Sequence, residues 1–194
     1  MSLERAVELA AASAGAAYPN PTVGAVLERD GEVVGEGVTE PYGGRHAEVV
    51  AIEAAGERAR RATLFVTMEP CRHEGLTPPC VSAILAAGIA RVVAGSLDPS
   101  PDAGGGLEEL RRAGVDVALE ERVEARLQNL AWRTWAGQGR PYVTLKLAVS
   151  LDGRVVVPGR RWVSGAESRR RVHELRAAGD AVAVGQGTVR ADQA

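Results

Sequence analysis

His46-Ala47-Glu48, Glu69-Pro70-Cys71 and Pro78-Pro79-Cys80 are the stretches of this 194-residue chain whose side chains can share one piece of chemistry. An imidazole and two thiols are donor types that zinc takes, and a catalytic zinc keeps three protein ligands with a fourth position open for water. His46, Cys71 and Cys80 supply three such ligands. Glu48 is then free to carry protons as general base and acid instead of binding metal. Because zinc brings the pKa of a bound water toward about 7, the set suits hydrolysis at neutral pH.

Other uses of these residues stay open. Cys71 and Cys80 are the only two cysteines, and a disulfide between them would close a small loop; the His-x-Glu partner favours metal. A structural zinc would want a fourth protein ligand, and His73 is close enough in sequence to serve. His173 lies on a polar stretch and reads as a surface residue. Glu69 reads either as a group that orients a ligand or as a strand-end carboxylate in solvent.

The elements that must position these groups follow from apolar periodicity. Leu3, Val7 and Ala10-Ala11 predict a helix from Ser2 to about Gly15, broken by Tyr18-Pro19-Asn20-Pro21. Val23 to Leu27 and Val33 to Val38 read as strands joined through an Asp30-Gly31 hairpin turn. Ala47, Val50, Ala51, Ala54 and Ala55 share a helical face, which places His46 and Glu48 at a helix start behind Gly43-Gly44. Leu64 to Met68 is a short strand running into Glu69-Pro70-Cys71, and Cys80 begins a helix that Gly88 ends. A helix N-terminus favours negative charge, so two such starts aimed at one point suit a thiolate and an activated water.

Further along, Ile89 to Gly95 and Val115 to Leu119 predict strands around a Leu107–Ala113 helix. One more helix should run through Val123, Leu127, Leu130 and Ala131, where Trp132 and Trp135 can pack. Gly137 to Pro141 reads as a linker, after which Tyr142 to Val149 and Ala181 to Gly185 read as strands and Ser168 to Ala178 as a helix. The expected fold is α/β with some parallel pairing. Its expected parts are residues 1–120, a helix and linker over 121–141, and an incomplete domain over 142–194.

Bulk composition narrows the classes. Charged residues at 25% and hydrophobic ones at 45% describe an ordinary soluble globular protein. A net charge of −2 and 4% aromatics argue against a basic, aromatic-lined groove for nucleic acid. No apolar run reaches the length of a membrane span, and Ser2-Leu3-Glu4-Arg5 lacks the pattern of a secretory signal, so a cytoplasmic protein is expected.

His-x-Glu followed by Pro-Cys is the signature of zinc deaminases that attack an amino-bearing ring carbon and release ammonia. Here the gap between cysteines is eight residues, and Cys71-x-His73-x-Gly75-x-Thr77-Pro78-Pro79-Cys80 resembles the riboflavin-biosynthesis bifunctional deaminase/reductase family. Pro19-Asn20-Pro21 with Val23-Gly24-Ala25-Val26 and His46-Ala47-Glu48-Val49 resemble its deaminase half. Asp98-Pro99-Ser100-Pro101 is similar to its Asp-Pro-Asn-Pro, and Lys146 to Gly153 to the opening strand of its reductase half.

That resemblance implies a three-layer, cytidine-deaminase-like α/β/α sandwich followed by an incomplete α/β reductase domain. It implies Zn2+ on His46, Cys71 and Cys80, Glu48 as the proton carrier, and Asn20 and Asp98 as substrate contacts. The implied reaction is deamination of 2,5-diamino-6-(5-phosphoribosylamino)pyrimidin-4-one. On the reductase side, Ala148, Trp162, Thr188 and Asp192 match cofactor positions and Arg176 a substrate position. NADPH would be used only by a complete reductase half, and no reductase activity is expected of this chain. The implied partner is a pyrimidine nucleotide, with no nucleic acid and no membrane; unpaired strand edges in the tail would allow a homodimer.

Departures from the family pattern fall on recognition. Thr39 and Leu76 stand where histidine and a basic residue are usual, Ser100 replaces asparagine, and Gly104-Gly105-Gly106 carries no cation. Arg45 or Arg72 is then the remaining source of positive charge for a phosphate. The competing functions are a zinc deaminase of another amino-pyrimidine or related heterocycle, and a non-catalytic zinc-binding interaction module.

Overall fold

Alternating side chains in Gly24–Arg29 (β1) face two different layers. Ala25 and Leu27 join a core built with the helices that follow β1, while Gly24 lies against the backbone of the first helix. The computed structural model describes residues 2–192. Its contacts divide the chain into two units, Met1–Tyr142 and Val143–Ala194.

In the first unit, β1 pairs antiparallel with Glu32–Val38 (β2) through a turn in which Asp30 (φ 55°) and Gly31 (φ 82°) both lie in the left-handed region. That is the hairpin geometry an Asp-Gly pair favours. β1 also pairs antiparallel with Thr63–Val66 (β3); β3 then runs parallel to Arg91–Ala94 (β4), and β4 parallel to Asp116–Leu119 (β5). The order is β2-β1-β3-β4-β5. Ser2–Ala12 (α1) covers one face; Ala47–Ala55 (α2), Cys80–Ala87 (α3) and Gly106–Arg112 (α4) cover the other. The result is the expected mixed α/β sandwich of three layers.

Close approach is built in at glycine. A Cβ at Gly35 or Gly37 of β2 would lie 2.3 Å from the Ala51 carbonyl oxygen or 2.2 Å from that of Ala47, so α2 rests directly on the strand. At the start of α4, a Cβ on Gly106 would meet the Pro70 oxygen at 1.8 Å.

Several expected boundaries shift. α1 stops at Ala12, because Ser13 and Ala16 bond back three residues and Gly15 turns with φ 81°. The single helix expected after residue 120 is two, Val123–Gln128 (α5) and Leu130–Gln138 (α6), broken at Asn129. There the amide side chain bonds Thr22 of a distant loop, and α6 runs on into the expected linker. Trp132 packs against the core, but Trp135 is exposed.

The second unit holds two helices among the described residues, Ala166–Ala177 (α7) and Gln186–Asp192 (α8). Neither Tyr142–Val149 nor Ala181–Gly185 is a strand. Apolar alternation alone makes no ladder, and these segments pair with nothing among the described residues. Val143, Leu145, Leu147, Val182 and Val184 are exposed.

Candidate active site

Three chain segments deliver one cluster. His46 is the residue before α2, with extended backbone (φ −74°, ψ 157°), and Glu48 lies in that helix's first turn. Cys71 lies within the loop that leaves β3, and Cys80 opens α3 behind Pro79. The Val81 amide donates to the Cys71 carbonyl at 3.2 Å, tying that loop to the helix start.

His46 Nδ1 lies 3.2 Å from Cys80 Sγ and 3.5 Å from Cys71 Sγ. The three candidate donor atoms all fall within 4.8 Å of one another. A tetrahedral zinc with ordinary Zn–S and Zn–N bonds separates its nitrogen and sulfur ligands by about 3.6 Å. The donor set therefore fits zinc in both element type and spacing. The other ring nitrogen, Nε2, faces Thr77 Oγ1 at 3.5 Å, which orients the imidazole. Both cysteines are free thiols, so the disulfide reading is set aside. His73 is not part of the cluster; it stands exposed on the wall of the adjoining cavity.

The electrostatics suit a metal-binding, proton-moving site. Hydrogen bonding from Cys80, then from His46, holds the Cys71 thiol down at about 4 against its burial. The same pairing and burial push Cys80 up, so the first proton leaves the pair easily and the second does not until a cation arrives. Hydrogen bonding to Cys71 raises the His46 pKa. Glu48 is only 4% exposed; its burial, and next the Cys71 sulfur, push the carboxyl up to about 7. A carboxyl near neutral can both take and give a proton at the pH of the cell.

The cluster opens into a cavity of about 310 Å³. Asn20 and Asp98, the expected substrate contacts, both line it with His46, Glu48 and Cys71. Burial raises the Asp98 pKa, although its Oδ1 accepts from the Ser100 amide at 2.8 Å. Thr39 and Leu76 are also in the wall, but the Thr39 hydroxyl is committed to the Val23 amide at 3.0 Å. No Lys or Arg lines the cavity among the described residues. Arg45 is held by Glu40 and Glu53, and Arg72 by the Gly104 carbonyl.

Glu69 corrects the solvent-facing alternative. It is buried on the cavity wall, and its carboxylate accepts from the Leu107 amide at 3.0 Å and the Asp98 amide at 3.2 Å. It fastens the start of α4 and the Asp98 loop to the end of β3. Asn129 and Arg133 have no spacing that marks them, and Trp132, expected only to pack, also lines the cavity.

The expected reductase positions all fall in the second unit. Ala148 lines a small hollow with Val163 and Ser164, and Trp162 lies under the guanidinium groups of Arg161 and Arg169 instead. Arg176 is exposed on α7, as is His173, and Thr188 is exposed on α8. Asp192 closes α8, and its side chain lies outside the described residues.

Residues 1–96 match the cytidine and deoxycytidylate deaminase zinc-binding region, and residues 141–194 match the RibD C-terminal domain. The riboflavin biosynthesis protein RibD of Aquifex aeolicus is 48% identical over 195 residues, covering 98% of this chain and 54% of that protein. Among solved structures, Acinetobacter baumannii RibD (form 1) superposes with a TM-score of 0.92 at 39% identity, over 100% of this chain and 55% of its own. A Thermotoga maritima diaminohydroxyphosphoribosylaminopyrimidine deaminase/5-amino-6-(5-phosphoribosylamino)uracil reductase gives 0.89 at 41% identity, over 100% and 57%. The chain thus spans about half the length of the curated relatives it matches. With the zinc-binding region and the C-terminal domain matched in that order, and RibD relatives aligned over 98% of it, this chain is a RibD deaminase-type protein.

Proposed function

We propose that this chain hydrolytically deaminates 2,5-diamino-6-(5-phosphoribosylamino)pyrimidin-4-one, with His46, Cys71 and Cys80 as zinc ligands and Glu48 as the proton carrier. The observation that carries the proposal is the buried Glu48 carboxyl, raised to about 7, beside a His/Cys/Cys cluster at the floor of a cavity. The printed name of the Thermotoga maritima relative supports the choice of substrate.

When bound, zinc supplies a Lewis acid that makes water acidic enough to attack near neutral pH. Glu48 would take a proton from the attacking water at a carboxylate oxygen. The water oxygen bonds to the amino-bearing ring carbon, and the carbon–nitrogen bond breaks as Glu48 returns the proton to the amine. Ammonia leaves, the remaining hydroxyl proton passes to a ring nitrogen, and the ring keeps the oxygen as a carbonyl. Asn20 and Asp98 hold the heterocycle from the walls, and the recessed, half-apolar cavity limits the access of bulk water to the reacting carbon. Residues 143–194 have no part in this step.

Ammonia release from the diaminopyrimidine ribosyl-phosphate, measured for zinc-loaded wild type beside Glu48→Gln, is the test. Wild type should turn over, and Glu48→Gln should fall by roughly a hundred- to ten-thousand-fold while keeping its zinc. Equal rates in the two proteins would reject the role of Glu48.

A second reading has one observation in its favour: among the described residues no Lys or Arg lines the cavity, and Arg45 and Arg72 are engaged elsewhere. A site without a cation suits a deaminase of an unphosphorylated amino-heterocycle. Comparing phosphorylated and unphosphorylated diaminopyrimidines in the same assay separates the two, because the second reading requires the phosphate to bring no gain in kcat/KM.

A further inference from the structure

Helix α6 makes no hydrogen bond to the metal cluster among the described residues, yet it holds both loops that carry the cavity's polar walls. Asn129, 6% exposed between α5 and α6, meets both backbone groups of Thr22. Its Oδ1 accepts from the Thr22 amide at 2.9 Å, and its Nδ2 donates to the Thr22 carbonyl at 2.8 Å. Thr22 follows directly on Asn20 and Pro21, which line the cavity. One helical turn later, Arg133 Nη1 donates to the Leu97 carbonyl at 2.7 Å and lies 3.5 Å from Ser96 Oγ. Leu97 immediately precedes Asp98. Between the two anchors, Trp132 is itself part of the wall.

A primary amide that pairs with both the N–H and the C=O of one residue fixes that backbone as a neighbouring strand would. Without it, a buried donor and a buried acceptor are left unpaired, and the loop must shift to find water. Such a shift moves Asn20 while leaving α2, α3 and the β3 loop where they are.

We propose that Asn129 and Arg133 are positioning residues that set the two substrate-contacting walls of the cavity, Asn20 on one side and Asp98 on the other. Substrate binding therefore depends on α6, and the metal cluster does not. Which substrate is bound rests on the deamination proposed above; the mechanical link between α6 and the two loops does not.

The test uses the full chain with Asn129→Ala, Arg133→Met and Arg133→Lys, and reads hydrogen exchange by peptide, zinc stoichiometry and steady-state kinetics. Asn129→Ala should speed exchange in the peptide spanning Thr22, and Arg133→Met in the peptide spanning Ser96–Ser100. Peptides carrying His46, Cys71 and Cys80, and the zinc content, should match wild type. Asn129→Ala should raise KM by about ten-fold, the order expected for unpairing buried groups, and Arg133→Met, which frees an exposed carbonyl, by about three-fold, each with kcat within about two-fold of wild type. Arg133→Lys keeps a donor for the Leu97 carbonyl and should restore KM. Unchanged exchange in both loops, loss of zinc together with loss of protection across the sheet, or a fall in kcat at constant KM would each overturn the proposal. Should wild type release no ammonia, the deamination reading fails, while exchange and zinc content still decide whether α6 positions the loops.

Discussion

Cys71 and Cys80 share a proton economy that only a cation can resolve: one thiol is held low by the other, which is held high in turn. Replacing either with serine should remove stoichiometric zinc, and a chelator should lower the melting temperature of wild type but not of Cys80→Ser. An unchanged melting temperature on chelation of wild type would show that the cluster binds no metal that matters to the fold. Glu69 gives a different prediction. Glu69→Ala strips the acceptor from the buried Leu107 amide, at about 1–3 kcal/mol, and from the part-buried Asp98 amide, at about 1 kcal/mol, so urea unfolding should show a loss of roughly 2–4 kcal/mol. A loss below about 0.5 kcal/mol would mean that the Leu107 and Asp98 amides find other acceptors. The contrast explains what was readable at this scale. His46, Glu48, Cys71 and Cys80 announce themselves because the chemistry needs those side-chain types, three of them at helix starts and Cys71 in the loop between β3 and α3. Glu69 and Asn129 act on backbone amides and carbonyls, which every residue carries, so no residue type marks their partners.

At the scale of elements, α2 is the piece whose placement matters most, since it presents His46 and Glu48 from its first turn. Its seat on β2 depends on two missing side chains. Gly37→Ala would put a methyl 2.2 Å from the Ala47 carbonyl and lift the helix end next to both functional groups. It should cost about 1–3 kcal/mol and sharply weaken zinc binding, checked by urea unfolding and metal titration. A Gly37→Ala protein with wild-type stability and zinc affinity would show that α2 relaxes without moving the site. Hairpin, strands and the starts of α2 and α3 were legible because glycine, proline and apolar alternation mark them directly. The break at Asn129 was not: Leu127, Leu130 and Ala131 keep a helical period straight through it, and the interruption comes from Thr22, 107 residues away. The Tyr142–Val149 reading failed for a related reason, because alternation states which faces a strand would have but not whether a neighbour exists to pair with it.

For the whole molecule, the buried apolar core runs from Val23 to Val115 and lies inside the first unit, as does every residue of the metal cluster. In the second unit, Val143, Leu145, Leu147, Val155 and Val156 are exposed on backbone with almost no ladder. Limited proteolysis should therefore cut first between residues 143 and 165. The product holding residues up to about 142 should retain ammonia release. First cuts within β1–β4, or loss of activity on cleavage after Tyr142, would contradict this division of labour. Sequence separation adds a consequence for how the protein is made. The three candidate metal ligands are all within the first 80 residues, whereas the Thr22–Asn129 pairing joins the early chain to a segment synthesised much later. During translation the N-terminal hairpin, α2, β3 and α3 leave the ribosome before α6 exists. Metal capture can thus precede closure of the cavity, and a nascent chain would be charged with its ion while the pocket still lacks a wall.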